Sequence, residues 1–566
     1  MRPLNRTSPD RNYISHDFQQ IRLTHLLLGI AIKLKSLVSP SHLPISILPK
    51  NMAKNYWFFL QCLTIWLMLG LSQQASFSRK EYYTAGVVEF RPSNLLSDNL
   101  DGYVKIIHSK NASSTDIIVF PESTLNDMGP TTFVPNPEDR INPCLSDPNG
   151  SHFEHYLVTL SCAARNASKY IVINLTEKQK CQDVHEDTRP CAVDGLNVFN
   201  SNVVFDRQGV VVSRYRKVHL YGEPKNSTYL PELSTFETDF GVTFGHFICF
   251  DILFYTPAHQ LVDQGVTDFV YPAMWFSQLP FLTAVQIQSG WSYANDVNLL
   301  AAGASDPTVG NSGSGIYQGR SGALRSVMRQ GSGERAIYVA RVPKYKGKRR
   351  MKRNLNRQVA TSSSFNIKRD YLENFTSEEL QIEAGKNGNL SKILCHGGFC
   401  CHFDVAWRSL ENAAGNSSYY SYRVGIFDGW RNQKRLDVNY IRNCGLFTCS
   451  GDSIDDCGQL LPDLQKPVVT FTHLEIRVTY PHSREFLFFP DTLLDNLLPL
   501  ETKQFEWAQQ QPSEESHQVR FALGESQEVS HLLTFAIYGN YYYNDCTFGV
   551  GTAEEQLACG YKNPKI

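Results

Sequence analysis

An α/β domain followed by a smaller β-rich, disulfide-stapled domain is what the sequence predicts, on three observations. Between about residues 80 and 345, short apolar runs alternate with amphipathic stretches, the pattern of strands exchanging with helices. A basic run, KYKGKRRMKRNLNR, then interrupts the chain from Lys344 to Arg357. Beyond residue 390 lie eight cysteines, among strand-like runs such as VVTFTHLEIRVTY and HLLTFAIYGNYYY. The length of 566 residues exceeds what one hydrophobic core supports, which agrees with two domains.

In chain order, AGVVEF (85–90), DIIVFPE (116–122), KYIVINL (169–175), GHFICF (245–250) and DFVYPAMW (268–275) are rich in β-branched and aromatic residues and read as buried strands. NLLSDNLDGYVKIIHSK and HFEHYLVTLSCAARNAS carry helical periodicity between them. LNVFNSNVVFDRQGVVVSRYRKVHL reads as two strands around a turn at Asp206–Gly209. The expected organisation is an upstream extension over 1–51, a signal peptide over 52–75, a catalytic α/β domain over 80–345, a basic linker over 346–360 and a β-rich domain over 361–566.

The signal-peptide expectation rests on Met52 and Lys54, followed by YWFFLQCLTIWLMLGL and the small-residue segment SQQAS. Its alternative is an uncleaved signal-anchor. The C-terminal EEQLACGYKNPKI lacks the apolar tail of a lipid-anchor signal, so the mature form is expected to be secreted, with no stable membrane span. Sequons at Asn111, Asn149, Asn166, Asn174, Asn226, Asn374, Asn389 and Asn416 agree with a glycosylated, exported chain. Of 14 cysteines, setting aside Cys62 in the expected signal and Cys249 in FGHFICFDILF leaves an even number, enough for six disulfides with Cys249 free. The 54 basic and 55 acidic side chains leave a net charge of −1, without the basic excess of a nucleic-acid binder.

Three polar residues sit at or past the ends of apolar runs, where α/β enzymes keep their chemistry. These are Glu122 in DIIVFPE, Lys217 after VVVSRYR and Cys249 in GHFICFD. Singly, each reads as a capping carboxylate, a solvated cation or a small buried hydrophobe. As a set they are complementary: a thiol needs help to become a nucleophile, a lysine stabilises thiolate and oxyanion, and a glutamate shuttles the proton. Together they can transfer an acyl group from an amide.

FPE (120–122), YRKVHLYGE (215–223) and CFD (249–251) resemble the three signatures of the nitrilase, or carbon–nitrogen hydrolase, superfamily. FICFDILFYTPA, YPAMWFSQLPFLTAVQ, VNLLAAG and SGSGIYQG resemble its biotinidase and vanin branch, over about residues 80–566. The resemblance implies an α-β-β-α sandwich and a second domain. It implies Glu122 as general base and acid, Lys217 as oxyanion stabiliser and Cys249 as nucleophile. It also implies Glu223 as a supporting glutamate, the Phe250 backbone N–H as an oxyanion donor and Trp275 as a pocket wall. YPAMW departs from the commoner Thr-Ala-Trp form, which leaves pocket specificity open. The partners implied are a small-molecule amide and water, with no cofactor, metal or nucleic acid. The rivals are a papain-like thiol hydrolase using His246, a zinc module on CHGGFCCH (395–402), and a non-catalytic secreted binding protein that keeps the fold.

Overall fold

Along Tyr82–Phe90, Tyr83, Ala85 and Val87 enter one apolar cluster while Val88 and Phe90 enter another, so the strand is buried on both faces. Tyr170–Lys180 does the same, with Val172 on one side and Ile171, Ile173 and Leu175 on the other. Such strands require cover on both sides, and that demand organises the N-terminal domain. The computed structural model describes residues 81–542, apart from 128, 182–189, 229–230, 346–364, 410–418, 432–438, 462–466, 468, 482–485 and 514–515. The expected extension, signal peptide, basic linker and C-terminal Cys546 and Cys559 lie outside the described residues.

Two six-stranded sheets face each other. The first runs Arg335–Pro343, Tyr82–Phe90, Ile117–Val119, Tyr170–Lys180, Leu196–Phe205, Val211–Arg216; the second runs Ala323–Val327, Ser314–Gln318, Asn298–Gly303, Asp268–Ala273, Thr243–His246, Thr235–Glu237. In each sheet three adjacent strands are parallel. Between the sheets lie Val87, Val119, Val172, Val204, Phe244, Val270 and Leu300. Helices Leu96–Ile107 and His155–Ala167 cover the first sheet with Leu100, Tyr103, Ile106, Leu157 and Leu160 at three- and four-residue spacing. Helix Ala284–Asn295 covers the second, placing Ile287 and Trp291 against Phe247 and Phe269. The α-β-β-α order expected from the resemblance is present.

The run GHFICF differs from the single strand expected of it. The strand stops at His246, and Cys249–Leu253 forms a tight turn that opens on Cys249 at φ +46°. Its side chain is therefore placed by a left-handed backbone position, which few L-residues adopt, and not by strand alternation.

The C-terminal domain is a sandwich of two five-stranded sheets, ordered Thr376–Glu379, Ser421–Arg431, Asn439–Cys449, Leu532–Tyr541, Phe486–Leu494 and Asn387–His396, Phe399–Ser409, Val469–Pro481, Ser516–Leu523, Phe505–Ser513. Phe403, Trp407, Tyr422, Phe471, Phe521 and Phe535 fill its core. Cys401–Cys444 ties one sheet to the other; Cys395–Cys400, Cys449–Cys457, Cys144–Cys162 and Cys181–Cys191 close shorter loops. Among the described residues Cys249 is the free cysteine.

The sandwich packs directly on helix Ala284–Asn295. A Cβ on Gly290 would stand 2.2 Å from the Phe489 ring, so glycine is what lets the two domains meet. Gln286 Nε2 donates to Asp491 Oδ1 at 2.7 Å and to the Pro280 carbonyl at 2.8 Å, while Thr534 Oγ1 donates to that same carbonyl at 2.7 Å.

One buried acid outside the site makes the fold pH-dependent. Glu89 is fully buried, accepts hydrogen bonds from the Ser312 and Ser314 hydroxyls, and is pushed by burial up to about 7. With its folded value above its unfolded one, the native state holds the proton longer, so stability falls as pH rises from the ordinary carboxylate range to about 7. Glu89→Gln is expected to melt at the wild-type temperature near pH 4 and above it at pH 8, by an increment on the order of 3 kcal/mol. Calorimetry at both pH values checks this; an equal shift at both would refute it.

Candidate active site

The carboxyl ends of the parallel strands converge on one cleft. Glu122 follows Ile117–Val119, the Cys249 turn follows Thr243–His246, and Met274 and Trp275 follow Asp268–Ala273. Lys217 enters from the neighbouring strand Val211–Arg216, its backbone N–H held by the Asn200 carbonyl at 2.9 Å. Glu122, Lys217 and Cys249 are 3%, 1% and 5% exposed, so each is out of bulk water.

Lys217 Nζ donates to Glu122 Oε1 at 2.8 Å and to Glu223 Oε1. Asn200 Nδ2 bridges the same two carboxylates, at 2.8 Å to Glu122 Oε1 and 3.0 Å to Glu223 Oε2. Glu122 Oε2 takes the Met274 backbone N–H at 2.8 Å. Burial works against the Lys217 charge, but Glu122 and then Glu223 outweigh it and hold the ammonium well above its usual range. Burial likewise works against the Glu223 charge, and the Lys217 ammonium outweighs it, leaving that carboxyl below its usual range. The Cys249 thiol is pushed well up by burial and by the neighbouring Glu122 carboxylate, with Lys217 pulling the other way. The surroundings thus favour the neutral thiol at Cys249 and the ammonium at Lys217.

Asp251, two residues past the cysteine, shapes the turn. Its oxygens accept the Ile248 N–H at 3.0 Å, the Tyr215 hydroxyl at 2.7 Å, and the His219 backbone N–H and Nδ1 at 2.9 Å each. One carboxylate therefore stitches the cysteine turn to the segment that carries Lys217. Tyr271 adds a hydroxyl to the Cys249 carbonyl at 2.8 Å.

Tyr221, Phe250, Leu253, Trp275, Phe276 and Leu282 line the cleft with Cys249, and its volume is about 340 Å³ including the open mouth. Trp275 is oriented by its indole N–H, which donates to the Leu282 carbonyl at 2.9 Å. Every expected site residue is thus placed in or beside the cleft. Asn200, Asp251 and the Met274 N–H were not foreseen. The acid of the CFD motif was the one signal that pointed toward Asp251; Asn200 lies inside an ordinary strand pattern and gives none.

The rivals fare differently. His246 bonds Ser213 Oγ through Nε2 at 2.9 Å, and burial pushes it down to about 3, so it is a neutral group of the sheet. The cysteines of CHGGFCCH are consumed in the Cys395–Cys400 and Cys401–Cys444 disulfides.

The family profile described as carbon-nitrogen hydrolase matches residues 84–293, the stretch that carries the buried thiol, lysine and glutamate pair. The Vanin C-terminal domain profile matches residues 365–545. Vanin-like protein 2 of Drosophila melanogaster is 82% identical over 525 residues, covering 91% of this chain and 100% of that protein. Biotinidase of Bos taurus is 31% identical over 494 residues, covering 80% and 87% respectively. Among solved structures, Nit3 of Saccharomyces cerevisiae, a nitrilase-superfamily member, aligns at 18% identity and TM-score 0.36 over 47% of this chain and 91% of its own. The chain belongs to the vanin and biotinidase branch of the nitrilase superfamily of carbon–nitrogen hydrolases.

The sequons separate by burial. Asn111, Asn149, Asn166, Asn226, Asn374 and Asn389 are exposed, and Asn416 lies outside the described residues. Asn174 is a correction: it is 1% exposed, takes the Ser123 N–H on Oδ1 at 2.9 Å and donates from Nδ2 to Asn200 Oδ1 at 2.7 Å. A glycan on that nitrogen would replace the bond that orients Asn200, and the sheet leaves it no room. Glycopeptide mapping of active, folded protein is expected to find Asn174 bare; a glycan there in the folded fraction would contradict this placement.

Proposed function

We propose that the protein is a secreted amidohydrolase that cleaves a linear amide, of the pantetheine or biotin-amide type, through a thioester on Cys249. The observation that carries the reading is the buried Glu122–Lys217 ion pair beside the free Cys249 thiol, all three sheltered from water.

In the proposed sequence Glu122 takes the thiol proton as sulfur attacks the amide carbonyl. Because Lys217 and Asn200 occupy Oε1, Oε2 is the oxygen left to carry that proton. The new C–S bond leaves a negative oxygen, which Lys217 and the Phe250 backbone N–H stabilise. Glu122 then gives its proton to the departing nitrogen as the C–N bond breaks. Water, deprotonated by the same glutamate, attacks the thioester, and the acid leaves with Cys249 again a thiol. Glu223 and Asn200 keep the lysine charged and aimed throughout. Trp275 and the other aromatics exclude water and hold the apolar part of the acyl chain.

Export is supported by the six exposed sequons and by the five disulfides among the described residues. No helix of the described residues is long and apolar enough to cross a membrane. The signal peptide at 52–75 remains the element that would carry the chain out, with a signal-anchor as its alternative.

Cys249→Ser keeps the packing but replaces the thiol by a far poorer nucleophile. Hydrolysis of pantetheine, biocytin or a simple amide is expected to fall on the order of 10⁴-fold, at an unchanged melting temperature. Full turnover in that folded variant would sink the assignment. Glu122→Gln preserves size but cannot carry the proton; the expected result is collapsed turnover, with any residual acylation trapped as a mass increase on the Cys249 peptide. Steady-state rates like the wild type's would exclude Glu122 as the shuttle.

A further inference from the structure

The cleft that opens on Cys249 is not built by the N-terminal domain alone. Its polar end is made by Gln278 and Arg431, and Arg431 is the last residue of Ser421–Arg431, a strand of the C-terminal sandwich. The Arg431 side chain is 5% exposed. Its Nε donates to the two oxygens of Asp370 at 3.1 and 3.2 Å, and Nη2 donates to Gln278 Oε1. Asp370 is buried too, and its backbone N–H donates to the Leu279 carbonyl at 2.8 Å. The second domain therefore holds the wall segment beyond Met274 and Trp275 and places a charged group of its own against the substrate space.

The charges around this space nearly cancel. Among the described residues Lys217 and Arg431 stand with three carboxylates, Glu122, Glu223 and Asp370, and the exposed Lys368 ammonium lies at the rim, 4.4 Å from the centroid of the cleft-lining Phe276 ring. Lys217 and Arg431 each already have a carboxylate partner. A substrate arm ending in a carboxylate that reached Arg431 would lose its hydration and meet a guanidinium already paired with Asp370, so that guanidinium offers little to offset the desolvation. An uncharged arm escapes this penalty.

We propose that Arg431, compensated by Asp370, is a specificity-determining residue of the amide cleft, through which the C-terminal domain discriminates substrates by the charge of the arm lying toward Gln278. The inference rests on the reading of Cys249 as the nucleophile, and the test tells the two apart by using thiol alkylation instead of turnover. The probes are N-chloroacetyl-β-alanine, ending in a carboxylate, and N-chloroacetyl-β-alaninamide, its neutral counterpart. In either case sulfur forms a C–S bond as chloride leaves, and the thiol proton passes to Glu122 or solvent. Rates are read as mass added to the Cys249 peptide of the full-length protein.

The wild type is expected to react faster with the carboxamide. Asp370→Asn removes the carboxylate that Arg431 Nε bonds and is expected to move the rate ratio toward the carboxylate probe by about tenfold, the scale of one added net charge in a partly desolvated cleft. Arg431→Met combined with Asp370→Asn should return the ratio to within about twofold of wild type. Gln278→Glu, which sets a new carboxylate at the same end, should move it the opposite way and serves if Asp370→Asn fails to fold. General loosening of the fold would change both probes together and leave the ratio unmoved. Labelling of Cys249 by both probes, with ratios in Asp370→Asn and Gln278→Glu within about twofold of wild type, would overturn the specificity role and leave the nucleophile reading standing. Failure of both probes to label Cys249 in the wild type would overturn the nucleophile reading and this inference with it.

Discussion

A lysine ammonium enclosed between two carboxylates is the constraint on which the site depends. Lys217 is 1% exposed, and a lone charge at that depth would be strongly unfavourable. Glu122 and Glu223 offset the burial, and Asn200 spans both so that neither carboxylate can turn away. Removing the lysine would leave two buried carboxylates with no cation between them, a far larger penalty than losing a surface ion pair. The arrangement is therefore all or none: the strands that bring the three groups together must be in register before any of them is tolerable there.

That requirement explains the geometry around the cysteine. Cys249 adopts φ +46°, a strained position for a residue with a side chain, and persists because its neighbours over-determine it. Asp251 takes four donors from Ile248, Tyr215 and His219, and Tyr271 holds the Cys249 carbonyl. The same contacts that fix the thiol also fix the segment around Lys217. Thiol and ammonium are consequently positioned by one shared set of hydrogen bonds, although 32 residues separate them in the chain.

The second domain extends this logic. Glycine at 290 lets Phe489 lie against helix Ala284–Asn295, and Gln286, Thr534 and Asp370 take hold of the segment between Trp275 and Thr283. Met274, whose N–H steadies Glu122, begins that segment. The sandwich thus braces the wall of the Cys249 cleft as well as closing its own core.

What could be read from the sequence was local in origin. Short apolar runs in AGVVEF and KYIVINL announced strands buried on both faces, helical periodicity announced the two helices over the first sheet, and FPE, YRKVHLYGE and CFD singled out the glutamate, lysine and cysteine that the fold brings together. GHFICF misled at its end, because an apolar run does not reveal where a left-handed residue breaks the strand. The sequon at Asn174 misled as well, because a three-residue pattern carries no information on burial. Asn200, Asp251 and Arg431 acquired their places only in the folded chain. Their partners lie tens to hundreds of residues away, as Asn200 lies 78 from Glu122 and Arg431 lies 153 from Gln278. Periodicity and composition report which faces are buried, whereas the choice of polar partners across sheets and domains is made by tertiary packing, where each buried donor must find an acceptor.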